Sequence, residues 1–387
     1  MSKNWRNVLS VLTLCCASGM GVAYAEGEGF SANRNGLEYS SADGNFRVGL
    51  GGRLHLDAAS IDDGGVTTDE EEIRRARLEL SVRLFDDLRL RVDREFAHGG
   101  GWRNVWLRYD FSDEFNVKAG NFIAPFSMED MGSSNDTMFM ERSLAHALAP
   151  GFGVGLGATY EGDHFTLSGA YLGDAIDVED NIQPEKGQGV AMRGTWAPIN
   201  DDNQTLHLGL GLERREFDAS DVRRISSGPE ASLGPTIVST GSIANVDTSA
   251  SYNVEAAYSV GPVLFQGQYI SSDIQRTAGA DLGFSGYYAQ AGWMLTGESH
   301  EYGAGGFSGP EPSNSWGALE LAVRVSSLDL ADAATGGQAD DITIGANWYI
   351  GRNFRLMANY VQSEVDGVTP LQDRNTDVVE ARAQLNF

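Results

Sequence analysis

Cysteine, lysine and long apolar runs are nearly missing from this chain. Its only two cysteines, Cys15 and Cys16, stand within the first 25 residues. Beyond that point no disulfide, thiol nucleophile or cysteine-ligated metal can form. No later stretch approaches the ~20 consecutive apolar residues that a membrane-spanning helix needs. Past residue 25 lysine occurs only at Lys118 and Lys186, and the whole chain sets 28 Lys+Arg against 54 Asp+Glu. That balance excludes a broadly basic face for nucleic acid. GxSxG is absent, and no Ser/His/Asp set can be assembled, although His55 and Asp57 share a face. The expectation is no enzyme, no cofactor and no metal site. The acidic runs at 62–72 and 174–180 lack calcium-loop spacing and read as solvated surface.

What is present at the start is an export signal. Lys3 and Arg6 precede an apolar stretch from Val8 to about Val22, and Ala23-Tyr24-Ala25 fits the small-residue cleavage rule. Residues 1–25 are read as a cleaved signal peptide, 26–44 as an N-terminal periplasmic segment and 45–387 as one β-barrel domain.

The rest of the chain alternates. In RRARLELSVRLFDDLRLRVDREF (74–96), Ala76, Leu78, Leu80, Val82 and Leu84 fall on one face. Arg75, Arg77, Glu79, Ser81 and Arg83 fall on the other, because successive side chains of a strand point to opposite sides. Sixteen such segments run from 45–58 to 376–387, TLHLGLGLE and ITIGANWYI among the clearest. Apolar toward lipid and polar toward a lumen is the pattern of a membrane barrel. The expected fold is all-β, a 16-stranded antiparallel transmembrane β-barrel. Short turns (FDD, FSDE, EGD, PINDDN, SVGP, GRN) alternate with long loops at 59–72, 123–151, 174–186, 217–249 and 272–283. One connection, 298–315, is long where a short periplasmic turn is due. The chain closes on Phe387, in phase with the lipid-facing Leu385, Ala383, Ala381 and Val379.

Several segments carry a family resemblance: GLEYSSADGNFRVGLGGRLHLDAA, IAPFSMED with NDTMFMERSLAHALAP, GYYAQAGWMLTGESHEY, WGALELAVRVSSLDL and ITIGANWYIGRNFRLMANYVQ. The chain resembles the phosphate-selective porin O and P family over nearly all of its mature length. The resemblance implies a homotrimer in the outer membrane of a Gram-negative bacterium, in contact with outer-membrane lipid. It further implies a pore narrowed by an inward-folded loop, here 123–151, and by an inward periplasmic turn, here 298–315. Small anions such as phosphate would diffuse passively through it. One departure concerns selectivity. The segment before Pro125-Phe126 is Asn121-Phe122-Ile123-Ala124, without lysine, and 298–315 contains Glu298, Glu301 and Glu311 but no basic residue. A general or weakly selective solute pore therefore stays open as an alternative, as does a non-conducting barrel serving as an adhesin.

The residues themselves single out one wall. Eleven arginines lie between Arg47 and Arg108. Alternation turns Arg47, Arg53, Arg75, Arg77, Arg83, Arg89, Arg91 and Arg108 inward, with Lys118 on the next strand. Arg142, in the FMERS segment, is expected across the constriction, unless Glu141 holds it in a structural pair. Guanidinium forks suit phosphate-like oxyanions. The competing reading pairs these arginines with Asp57, Glu79, Asp93, Glu95 and Asp110. Opposite, Arg193, Arg324, Arg355 and Arg382 are expected inward against Glu213, Glu255, Glu320 and Glu380.

Overall fold

The computed structural model describes residues 29–33, 36–176, 187–218, 221–368 and 373–387. The signal read at 1–25 lies outside them, as does most of 174–186.

Sixteen strands close into an antiparallel barrel. The first five are β1 (Phe46–Asp63), β2 (Val66–Leu84), β3 (Leu88–Glu95), β4 (Gly101–Asp110) and β5 (Phe115–Ile123). After a long inward excursion come β6 (Phe152–Glu161), β7 (Phe165–Leu172), β8 (Gln188–Asn200) and β9 (Gln204–Glu216). Then follow β10 (Val246–Val260), β11 (Val263–Arg276) and β12 (Leu282–Met294). The last four are β13 (Ala318–Asp329), β14 (Gly337–Ile350), β15 (Phe354–Gly367) and β16 (Arg374–Asn386). Closure is made by β16 against β1, from Thr376 opposite Asp63 down to Asn386 opposite Arg53.

The lipid-facing register is as the alternation requires. Leu78 and Leu80 are 44% and 37% exposed, while Arg75 and Arg77 beside them are buried. A slip of one residue would exchange those sets and place guanidinium groups in hydrocarbon at ~2–4 kcal/mol each near the midplane. Phe387 continues the seam past β16 by exchanging backbone hydrogen bonds with Gly52. Gly52 has to be glycine there, since a Cβ would lie 2.7 Å from the Phe387 ring and 2.5 Å from the Arg77 carbonyl oxygen. Below that point a hairpin of Gly29–Asn33 and Gly36–Ser40 takes over the free edge of β1, Leu37 opposite Leu50 and Ser40 opposite Arg47.

The expectation of a loop at 59–72 is wrong. β1 and β2 run on to a two-residue turn, Gly64-Gly65, with Asp63 opposite Val66. Its outer face is not apolar, and inward only Ala59 and Ile61 are, packed with Ala231, Val361 and Val378, so it lacks the alternation that marks a membrane strand, yet its backbone pairing is continuous. The loop expected at 272–283 also shrinks, because β11 extends to Arg276 and β12 begins at Leu282.

The lumen is partly filled. Residues 123–151 fold inside the barrel, carrying a short helix, Met128–Met131, capped by Ser127, and a 3-10 turn, Leu144–Leu148. Phe126, Leu144 and Leu148 form an apolar cluster with Ile225, Val238 and Ile243 of the 217–245 loop. Ile270, Ile274, Phe284 and Leu328 of the wall complete it. Each such side chain contributes roughly 1.5–3 kcal/mol on burial. The loop backbone is hydrogen-bonded to the same wall. Met128 N donates to Glu255 at 2.7 Å, Asn347 to the Met138 oxygen at 2.8 Å, and Arg382 to the Met140 oxygen at 2.5 Å. Gly211 admits this approach, since a Cβ there would stand 2.0 Å from the Phe126 oxygen.

The connection 298–315 enters from the other end as a small hairpin, Glu301–Gly303 with Gly306–Ser308. Tyr302 meets His207 at 2.9 Å, Arg193 donates to the Gly305 oxygen at 2.7 Å, and Phe307 packs beside Met128 and Met138.

Candidate functional site

Both inward segments pack mainly on the wall formed by the later strands, and the open space that remains borders β1 to β5 together with the turn between β14 and β15 and the end of β16. A cavity of about 730 Å³ remains there. Its lining carries ten basic side chains and six acidic ones, an excess of four positive charges. The chain as a whole is strongly acidic, so the positive sign is local to this wall.

Of the ten residues expected to line the pore, Arg53, Arg75, Arg77, Arg91, Lys118 and Arg142 border this cavity. Arg47, Arg83, Arg89 and Arg108 do not. They lie toward the end with short turns, Arg83 bonded to the Asp86 carbonyl at 3.1 Å and Arg47 paired with Glu38. Arg89 and Arg108 share Asp110, at 2.6 and 2.7 Å.

Within the cavity most charges are paired. Arg53 bonds Glu79 and donates to Ser134 at 2.8 Å. Arg91 reaches Glu79 at 2.7 Å and Asp93 at 2.8 Å, and Arg77 meets Glu95 at 3.1 Å. Arg142 donates to the Glu129 and Gly132 oxygens at 2.9 and 3.2 Å, which ties it to its own loop. Glu141 is not its partner. That carboxylate turns to the wall instead, accepting from Arg74 at 3.0 Å, Arg75 at 3.4 Å and Arg382 at 2.7 Å. Burial by itself would raise the Glu141 pKa, but these guanidinium groups outweigh it and hold the carboxyl well below the usual range. Arg382 is also clamped by Asp57 through two 2.7 Å bonds. Lys118 differs from the arginines. Among the described residues it has no carboxylate partner and lies 4.2 Å from the Phe122 ring centroid and 6.0 Å from that of Trp106.

Two cavity-lining residues escape simple alternation. The β1–β2 register shifts so that His55 faces Arg75 and Leu56 faces Ile73, leaving Arg74 extra. This bulge turns both Arg74 and Arg75 toward Glu141. A second shift, between Val92–Val105 and Arg94–Trp102, brings Arg103 into the lining. The doubled arginine at 74–75 was the visible signal for the first, since strict alternation puts one of the pair in lipid. On the opposite wall Arg193, Arg324, Arg355 and Arg382 are inward and buried with Glu213, Glu255, Glu320 and Glu380, as expected. Glu230, from the 217–245 loop, is an acid the alternation could not reach. It accepts from Arg324 at 2.7 Å, Ser326 at 2.5 Å and Thr343 at 2.6 Å.

Comparison with known proteins places this architecture. The sequence profile of the family described as "Phosphate-selective porin O and P" matches residues 48–387. The chain belongs to that family. This porin is 28% identical over 385 residues to Porin O of Pseudomonas aeruginosa, a match spanning 87% of each chain. Among solved structures it is similar to an anion-selective porin from Comamonas acidovorans, with a TM-score of 0.57 at 14% identity, over 88% of this chain and 100% of that one. The trimer form of OmpT from Vibrio cholerae gives 0.55 at 12% identity, over 88% and 99%. The porin is thus a β-barrel protein of the Gram-negative outer membrane.

Proposed function

We propose that this porin is a homotrimeric channel through which small anions, phosphate among them, diffuse passively along an arginine-lined wall. Residues 1–25 would serve as its cleaved export signal. The observation that carries the reading is the cavity itself: ten basic and six acidic side chains, with the basic excess concentrated on β1 to β5. The family of Porin O is that of phosphate-selective porins, the Comamonas porin is anion-selective, and OmpT has a trimer form.

The mechanism needs no chemistry. Low-dielectric walls focus the field of the unbalanced charges and raise the local anion concentration. Arg53, Arg75, Arg77, Arg91 and Lys118 offer successive weak sites, each favourable enough to enter and weak enough to leave. Pairing holds the guanidinium groups in fixed orientation while the excess sets the sign. A second reading, a weakly selective pore, is favoured by the extent of that pairing. Reversal potential across a planar bilayer under a salt gradient, with phosphate added as competitor, separates the two. The proposal expects a potential displaced toward the anion limit and a current that phosphate reduces. A potential near zero with no effect of phosphate would refute it.

A further inference from the structure

Most of the cavity is polar, but one sector is not. Trp106 on β4, Phe152 at the start of β6 and Ile123 border it, and Met131 of the inward loop faces it at 40% exposure. A path for a bare inorganic ion gains nothing from a half-buried indole and an exposed thioether on its lining. These groups stand beside the cations. Lys118 lies 6.0 Å from the Trp106 ring and has no carboxylate partner among the described residues. Arg103 lies 4.7 Å over the Phe152 ring. The Trp106 indole is fixed by its N–H donating to Asn104 at 3.2 Å, and Asn104 in turn donates to Asp93 at 2.7 Å. A cation and an immobilised aromatic surface therefore share one stretch of wall, with an exposed methionine bordering the same space.

From this juxtaposition we infer that the pore accepts organic anions with a flat apolar body, typified by an aromatic phosphate monoester, in preference to equally charged anions without one. The inference rests on the anion reading above and names the solute class. The anionic head is held by Lys118. The body lies along Trp106, where stacking on a rigid ring adds attraction beyond apolar burial. Met131 contributes a polarisable, adaptable surface at the same constriction.

The test uses full-length protein in planar bilayers carrying a potassium chloride current. Phenyl phosphate, methyl phosphate and inorganic phosphate are added in turn. The two esters share a head group and charge type, so their difference reads the body alone. Phenyl phosphate is expected to half-block at a concentration about tenfold below that of methyl phosphate. Trp106→Gln should collapse that ratio toward one. Should Trp106→Gln fail to assemble, Met131→Ser on the loop is expected to reduce the ratio in the same direction. Equal block by the two esters in the unaltered protein, with anion preference intact, overturns the inference alone. A ratio that survives both substitutions overturns it as well. Absence of block by all three together with a reversal potential near zero removes the anion reading and the inference with it.

Discussion

Replacing Glu141 with glutamine tests whether loop acids set the selectivity of this channel. The carboxylate contacts three guanidinium groups, of Arg74, Arg75 and Arg382. Glutamine keeps the shape and one acceptor oxygen and removes one negative charge. Arg382 retains Asp57. Arg75 retains only a 3.3 Å approach to His55, so the wall at Arg74 and Arg75 gains one unit of unbalanced positive charge. An anion ~6 Å away gains ~0.7 kcal/mol if screened as in bulk water and ~2.8 kcal/mol at an effective dielectric constant of about 20. The site is open to water on one side, so a value of ~1 kcal/mol is the working figure, about fivefold in the anion-to-cation permeability ratio. The cost falls on loop docking. Breaking a fully buried pair runs to ~3–5 kcal/mol, and this one should cost less because the substituted amide oxygen would still accept a hydrogen bond. The barrel ladder is untouched, so the yield of assembled barrel should hold. Reversal potential and phosphate half-block are the measurements, with unitary conductance as the check that the loop stays docked. An unchanged or lowered anion preference at normal conductance would refute the reasoning and assign the arginines a purely structural role.

Removing single cations should sort them by position. Lys118→Gln and Arg91→Ala should each lower the anion-to-cation ratio about two- to fivefold, whereas Arg89→Ala, whose guanidinium is held by Asp110 outside the cavity, should change it by less. Glu230→Ala removes the closest carboxylate from the buried Arg324, leaving it the Glu141 carbonyl at 3.0 Å and Glu129 at 3.8 Å, and should destabilise the 217–245 loop by less than the ~3–5 kcal/mol of a fully broken buried pair, seen as faster proteolysis within that loop in intact outer-membrane vesicles. His300, on the inward turn, is buried, which lowers its pKa, but its bond to Glu320 wins and the net shift is upward from 6.5. A raised histidine contributes stability that is complete below its unfolded pKa and is lost as pH rises through the folded value. The turn should therefore loosen on the alkaline side, as current noise that grows with pH, a dependence on pH that His300→Gln should remove.

The barrel was legible because an apolar–polar period of two recurs through sixteen segments with short and long connections between them. Leu206, Leu208, Leu210 and Leu212 show it in one strand. The inward face was legible by the same phase, which is why Arg193, Arg324, Arg355 and Arg382 lie where alternation puts them. Three things were not legible, each for a physical reason. The upper ladder of β1 and β2 has polar residues on both faces, so it has no period to read. The bulges at Arg74 and Arg103 insert one residue and reverse the phase locally, and a periodic argument passes over them even where, as at Arg74-Arg75, the doubled arginine marks the place. Glu230 finds Arg324 and Thr343 across 94 and 113 residues of chain, a contact fixed only once the loop has folded. Pairing within the arginine wall was anticipated, with Glu79, Asp93, Glu95 and Asp110 all engaged. The part played by Glu141 was assigned to the wrong arginine.

The off-centre packing of the two inward segments divides the circumference into unequal halves. On β10 to β16 a lumen residue is an interior residue: it touches loop backbone or an apolar cluster, and a change there unseats the fold. On β1 to β5 more of the lumen residues border the open cavity, and only some of them, such as Arg53 at Ser134 and Arg75 at Glu141, also hold the inward loop. Variation should therefore accumulate unevenly around the ring, tolerance of substitution being low on one side and high on the other. A lineage could shift its diet of solutes by drifting through β1 to β5 while the opposite staves stay fixed. Deep mutational scanning scored once for membrane assembly and once for uptake would draw that boundary strand by strand.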